Sequence, residues 1–334
     1  GTDLLTGITA ANRIDGGDGA DTIIGGRGGD VLFGGLDDDT FVYAMGDGAD
    51  TTDGGQGSDT LAISGTTGND TLDVIYNGAS IVTLKGGSLT SIESVTATLG
   101  AGTDTLTYAG TSSAIAVDLT AGTATGLTSL SGIENVIGGA GDDVLVGIAG
   151  INNVFTGGAG NDRFTVHDTG DTVSEAANGG TDAVLSLASV FTIADADVEN
   201  LTYIGSGNFT GTGNASANVI TGGNGADVLS GGGGNDTLSG GNGDDIFTGG
   251  AGSDSFVFAA GFSNDRITDF DANPTGGQDF IDLSAFYLTA GTFAAHVVIS
   301  DVGADTLVTV DGTDTIRLVG IGNATTVTVT DFIL

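Results

Sequence analysis

Between Gly222 and Val257 the chain repeats every nine residues. The four units, Gly222–Ser230, Gly231–Ser239, Gly240–Thr248 and Gly249–Val257, all read Gly-Gly-x-Gly-x-Asp-x-U-x, where U is a large apolar residue. Six residues of each unit are turn-forming and three can extend, with the eighth residue inward. A unit this small cannot bury its apolar residue alone, so the units must stack. A flexible glycine-rich linker has the glycines but gives no reason for Leu229, Leu238, Phe247 and Phe256 to fall nine apart.

The period and its fixed residues resemble the repeats-in-toxin (RTX) family, whose parallel β-roll binds calcium. The resemblance implies an all-β fold, a right-handed parallel β-roll or β-solenoid with calcium-bound turns, irregular β spacers and a C-terminal β cap. Two units then make one coil, and unit n stacks on unit n+2. The implied ligands are the position-six carboxylates, hard oxygen donors suited to Ca²⁺, and carbonyls of turn glycines, whose backbone reaches angles a Cβ forbids. In this stretch they are Asp227, Asp236, Asp245 and Asp254, with Gly223, Gly225, Gly232, Gly234, Gly241 and Gly243. Asp227 is expected to face Asp245, and Asp236 to face Asp254, each pair across one ion.

Six segments follow from the pattern. A first repeat block spans 1–73, with Asp21, Asp30, Asp39, Asp50 and Asp59 as implied ligands beside Gly17, Gly19, Gly26 and Gly28. Alternate stacking pairs Asp21 with Asp39, Asp30 with Asp50, and Asp39 with Asp59. Asn12 replaces the carboxylate in one unit, and Asp37 replaces the third glycine in another. Residues 74–137 form a spacer with strand-length apolar runs such as Ile81–Leu84 and Ile92–Leu99. It reads as a less regular continuation of the solenoid or a small β insert on it. Gly102–Leu106 is a repeat remnant, and the spacer ends in Gly132-Ile-Glu-Asn-Val136.

A second block, 138–182, holds Asp143 and Asp162, expected to share an ion. Asn152 and Asn153 stand in for a carboxylate there, which weakens or removes an ion, while Asp171 and Asp182 read as remnants. Residues 183–212 are a second spacer, whose Asp195, Asp197 and Glu199 read as a solvated acidic edge. The third block, 213–257, opens with Asn218 at the ligand position. Residues 258–334 read as antiparallel strands capping the open end, with the single proline, Pro274, in the turn 271–277. Asp265–Phe270 and Asp279–Ser284 resemble the segment after the repeats in serralysin-type proteases. The ending Asp331-Phe-Ile-Leu334 resembles a type I secretion signal.

Charge narrows the function. Forty-three acidic residues face six basic ones, for a net charge of −37. That balance argues against nucleic acid and against an anionic membrane surface not bridged by calcium. With 6% aromatics, it predicts a disordered chain when metal is absent. No cysteine is present, so metal must supply the cross-links outside the cell. No run of about 18 apolar residues marks a transmembrane segment. No signal peptide opens the chain, and Gly1–Thr6 reads as the last six positions of a nonapeptide, as in a piece of something longer.

The sequence contains no His-Glu-x-x-His, no Gly-x-Ser-x-Gly and no cysteine nucleophile, and His167 and His296 lack zinc-ligand spacing. The expectation is therefore a protein that is not an enzyme. It is a secreted, extracellular or cell-surface structural protein that binds several Ca²⁺ ions and folds on them. Its expected partners are the type I secretion machinery and either further copies of itself or a cell-surface polysaccharide. Two alternatives stay open: the tail of a secreted protease, lipase or alginate epimerase, and a surface-layer or matrix protein assembling through calcium.

Overall fold

Every repeat deposits one short strand, and strands two units apart pair in parallel. A computed structural model describes residues 1–273 and 277–334, which leaves Pro274 outside the described residues. The chain forms two compact units, one of residues 1–164 and 170–180, the other of 165–169 and 181–334.

In the first unit, a six-stranded parallel sheet runs Leu4–Thr6, Thr22–Ile24, Thr40–Ala44, Thr60–Ser64, Ser94–Thr98, Ser129–Ser131. A ten-stranded sheet begins Arg13–Asp18, Val31–Leu36, Thr51–Gln56 and continues, past an inserted hairpin, through Thr71–Tyr76, Thr105–Thr107, Asn135–Ile137, Val154–Thr156 and Thr172–Ser174. Successive residues point to opposite faces of a strand, so the U positions of stacked units form ladders. Ile23, Phe41, Leu61 and Val95 make one ladder and Leu72, Leu106, Val136 and Phe155 another, all nearly or wholly buried.

Both readings of the first spacer hold in different parts of it. Ser94–Thr98 stacks in register on Thr60–Ser64, and Thr105–Thr107 on Thr71–Asp73, so the coil continues. Ile81–Leu84 and Gly87–Thr90 instead form an antiparallel pair inserted between Thr51–Gln56 and Thr71–Tyr76.

In the second unit, one ladder runs Val184, Leu201, Ile220, Leu238, Phe256, Ile281. The facing ladder runs Phe191, Gly211, Leu229, Phe247, Ile267, Leu318. Gly211 has no side chain to contribute; Phe209 fills the gap, stacked on Tyr203 with ring centroids 4.6 Å apart. Across the interior, Phe247 meets Phe256 edge-on at 5.8 Å. Each such side chain taken from water stabilises by roughly 1.5–3 kcal/mol.

The C-terminal segment departs from the all-antiparallel expectation. Asn264–Ile267 and Phe280–Asp282 extend the two parallel sheets, because they keep the register of the repeats before them. Among the described residues of this segment, only Val297–Val302, Asp305–Val310 and Asp314–Leu318 pair antiparallel, and Phe332–Ile333 pairs in parallel with Phe280–Asp282.

Candidate metal corners

The turns between strands stack as regularly as the strands do. At each corner a position-six aspartate accepts, through Oδ1, the backbone N–H of the corresponding residue one coil earlier. Asp227 donates to Asp245 at 2.7 Å, Asp236 to Asp254 at 2.8 Å and Asn218 to Asp236 at 2.7 Å. In the first unit Asp21 donates to Asp39, Asp30 to Asp50 and Asp39 to Asp59, each at 2.8 Å, and Asp143 donates to Asp162 at 2.7 Å. All these aspartates are buried.

The other carboxylate oxygen behaves differently. Oδ2 of Asp21, Asp30, Asp39, Asp59, Asp227, Asp236, Asp245 and Asp254 is buried with no hydrogen-bond donor. It lies over the first glycine of its own turn, and at Asp21, Asp39, Asp59, Asp227 and Asp236 the carbonyl of the next stacked turn points there too. A Cβ on Gly231 would strike both Asp236 Oδ2 and the Gly249 carbonyl, and one on Gly34 both Asp39 Oδ2 and the Gly54 carbonyl. Position-one glycine is thus needed to keep that space clear. Two acceptors converging on one buried point repel unless a cation lies between them.

The remaining glycines bring the turns into contact. Gly241 and Gly243 have φ of 95° and 131°, which L side chains rarely adopt. A Cβ on either would collide with the carbonyl of Gly223 or Gly225 in the coil below. Gly250 and Gly252 stand in the same relation to Gly232 and Gly234, Gly35 to Gly17, and Gly48 to Gly28. Gly19 and Gly26 also have positive φ, 113° and 78°. Asp37 holds a φ of 78° at its glycine position, a conformation short polar residues tolerate better than most.

Without a cation these carboxylates are poor anions. Burial, opposed by the backbone hydrogen bond and reinforced by neighbouring carboxylates, raises Asp50, Asp162, Asp236 and Asp245 to about 6. Burial likewise raises Asp39, Asp59, Asp143, Asp227 and Asp254. The ion pairs Arg13–Asp15 and Arg317–Asp305 engage other carboxylates.

Several corner residues lie outside the nonapeptide pattern. Asp265, raised to about 8 chiefly by burial, accepts from Asp245 N–H at 2.8 Å, and Asp279 accepts from Asp254 N–H at 3.0 Å. Asp171 and Asp182 are not idle remnants: Asp171 accepts from Asn153 N–H at 2.7 Å, and Asp182 is fully buried in the stack. Glu199 is likewise no solvated edge, since it accepts Asp182 N–H at 2.8 Å. Glu93 and Glu134 do the same for Asp59 and Asp104. The phrases Ile92-Glu93, Ile133-Glu134 and Val198-Glu199 within the spacers carry the available signal. Asp143 also differs from its neighbours, because its Oδ2 accepts the Gly139 N–H at 2.8 Å.

The chain matches the family of the RTX calcium-binding nonapeptide repeat, four copies to a match, over residues 6–41, 46–61, 129–163, 137–173, 205–238, 221–256 and 230–267. It is 32% identical to the AlgE6R3 subunit of the Azotobacter vinelandii mannuronan C5-epimerase, covering 38% of this chain and 77% of that one at a TM-score of 0.31. To the AlgE6R2 subunit of the same enzyme it is 30% identical, covering 37% of this chain and 91% of that one at a TM-score of 0.28. The chain belongs to the RTX calcium-binding repeat family.

Its RTX repeats bind calcium, and the donor set fits: all-oxygen ligands, buried, anionic and orphaned of donors. A further similarity, at 16% identity and a TM-score of 0.23, is to the extracellular lipase LipA of Serratia marcescens, covering 100% of this chain and 40% of that one. No curated protein matches the chain.

Proposed function

We propose that this RTX protein is a secreted, non-catalytic calcium module whose folding is switched on by extracellular calcium. The ligands are the position-six carboxylates Asp21, Asp30, Asp39, Asp50, Asp59, Asp143, Asp162, Asp227, Asp236, Asp245 and Asp254, with carbonyls of the turn glycines. The observation that carries the reading is the row of buried Oδ2 atoms without donors, which at Asp21, Asp39, Asp59, Asp227 and Asp236 converge with a carbonyl of the next stacked turn. Bound calcium supplies the positive charge that this interior lacks. The chain's own part is to hold the carboxylate by one oxygen and leave the other for the ion, as at Asp39 and Asp236.

The switch follows from linkage. Where free calcium is scarce, burying these carboxylates costs more than their strands return, and a chain of net charge −37 stays open for export. Where calcium is plentiful, binding energy becomes folding energy. Extracellular calcium modules bind with dissociation constants of about 10⁻⁴–10⁻³ M, weak enough to be empty inside a cell. Far-UV circular dichroism tests this: calcium is expected to produce a β spectrum and EDTA to abolish it. A spectrum equally β-rich in chelator would overturn the switch.

A second reading is favoured by the two epimerase matches, each a subunit of a larger enzyme. On this reading the module serves a secreted enzyme's catalytic domain. An epimerase, protease or lipase activity in the product of the whole gene, absent from this chain alone, would support it.

A further inference from the structure

Two corners of the first unit are closed by turns of three residues where a regular repeat uses six. By register, Ser91-Ile92-Glu93 occupies the place that Gly54–Asp59 holds one coil earlier, and Gly132-Ile133-Glu134 the place of Leu99–Asp104. Both begin with a residue in the left-handed region, Ser91 at φ 51° and Gly132 at φ 70°. Both end in glutamate, whose extra methylene lets a shorter turn reach the same backbone donor. Glu93 accepts the N–H of Asp59, and Glu134 that of Asp104, each through Oε2 at 2.8 Å.

The carboxylates beneath them are the unusual feature. Asp59 and Asp104 are 0% exposed, and Oδ2 of each has no hydrogen-bond partner. At the first corner the direction of that oxygen is defined. A Cβ on Gly54 would strike both Asp59 Oδ2 and the Ser91 carbonyl, so the two acceptors aim at one point. Ser91 presents its carbonyl there from a left-handed backbone, a conformation unfavourable for a residue with a Cβ. Neutral chemistry gives no reason to hold two acceptors and a glutamate together in this way.

We propose that Asp59 Oδ2, the Ser91 carbonyl and Glu93 hold a calcium ion, and that Asp104 with Glu134 holds a second ion of the same kind. Residues 62–128 lie outside every matched RTX repeat, so the Ser91–Glu93 corner extends the calcium stack into a spacer that lacks the nonapeptide, while Gly132–Glu134 lies at the start of the next match. Three residues supply fewer carbonyls than six, and water completes the coordination. At Glu93 it enters from a cleft of about 410 Å³ that Ser80, Thr90, Ser91 and Glu93 help to line. The inserted hairpin Ile81–Thr90 then has a structural purpose, because it delivers Ser91 and Glu93 onto the last aspartate of its stack. The inference rests on the reading of Asp59 as a calcium ligand.

Calcium bound at saturation by the full chain, counted by equilibrium dialysis, tests it. Glu93→Gln and Glu134→Gln are each expected to bind one ion fewer than the parent, with an unchanged far-UV spectrum in saturating calcium. Parent stoichiometry in both variants overturns the inference and leaves the proposed function intact, whereas a parent that binds no calcium overturns the proposed function itself. Should either variant fail to fold, crystals of the calcium-loaded parent decide. Anomalous density between Asp59, Ser91 and Glu93 supports the assignment, and water or nothing there overturns it.

Discussion

The corners at Asn218 and Asp236 lie one coil apart, joined by the Asn218 N–H donating to Asp236 Oδ1. They meet the same electrostatic demand in opposite ways. Asn218 accepts the Asn214 N–H through Oδ1 at 2.8 Å, and its Nδ2 donates to the carbonyls of Val198 and Glu199 at 3.1 and 3.2 Å. Its polar atoms are satisfied by protein alone. Asp236 has one satisfied oxygen and one buried, orphaned oxygen. Asparagine carries its own donors, so its corner closes without metal. Aspartate has none, and no protein donor reaches the second oxygen of Asp236, which is left for a cation. Asn153 repeats the asparagine solution, accepting from Ile148 N–H and donating to the Glu134 carbonyl, each at 2.9 Å. The two asparagine corners are closed by protein donors alone, whereas Asp236 keeps an orphaned oxygen.

The sharpest way to break the contrast is to remove an aspartate. Asp245→Ala strips a ligand and leaves the Asp227 N–H without its acceptor. Its calcium titration midpoint is expected to rise about tenfold or more, equivalent to at least ~1.4 kcal/mol, with a shallower transition. An unchanged titration would separate Asp245 from the ion. Asn218→Ala should instead destabilise the calcium-loaded protein by about 1–3 kcal/mol, the usual cost of stranding buried polar partners. Its calcium stoichiometry should stay unchanged, and loss of an ion would show that the asparagine corner also holds metal.

Protonation offers a third, smaller lever. In chelator the folded state holds protons more tightly than the unfolded chain, since Asp236 and Asp245 rise to about 6 and Asp265 to about 8, against about 3.9 when unfolded. These groups favour the metal-free fold fully below about pH 4, and the contribution fades as pH rises through about 6 and then 8. Acidifying the chelated protein from about pH 8 to about pH 5 should restore part of its β spectrum. In calcium the sign reverses, because ligands must be deprotonated, and the same acidification should raise the calcium midpoint. The finest test converts one corner into the other: Asn218→Asp should add a single bound ion and make that corner sensitive to EDTA. An unaltered ion count would mean that more than the side chain distinguishes the two corners.

Read from residues alone, the nonapeptide already contained the parallel pairing, the two-unit coil, the apolar ladders through Leu238 and Phe256, and the register of Asp227 with Asp245. The ladders follow from a local period, since a strand of three residues and a turn of six recur at a fixed interval, and the parallel pairing, the two-unit coil and the aspartate register are what the resemblance to RTX repeats implies for that period. What the spacers do depends on the tertiary structure. Glu93 meets Asp59 and Glu134 meets Asp104 across 34 and 30 residues, and no local period counts across an inserted hairpin. The same holds for Glu199, whose neighbours Asp195 and Asp197 made it look like one more solvated acid, and for Asn264–Ile267, whose parallel partner is set by the coil beneath it. Composition shows that negative charge must be neutralised; only the packed turns decide which carboxylates need a metal and which corners an amide has already closed, because that depends on which donors lie within reach.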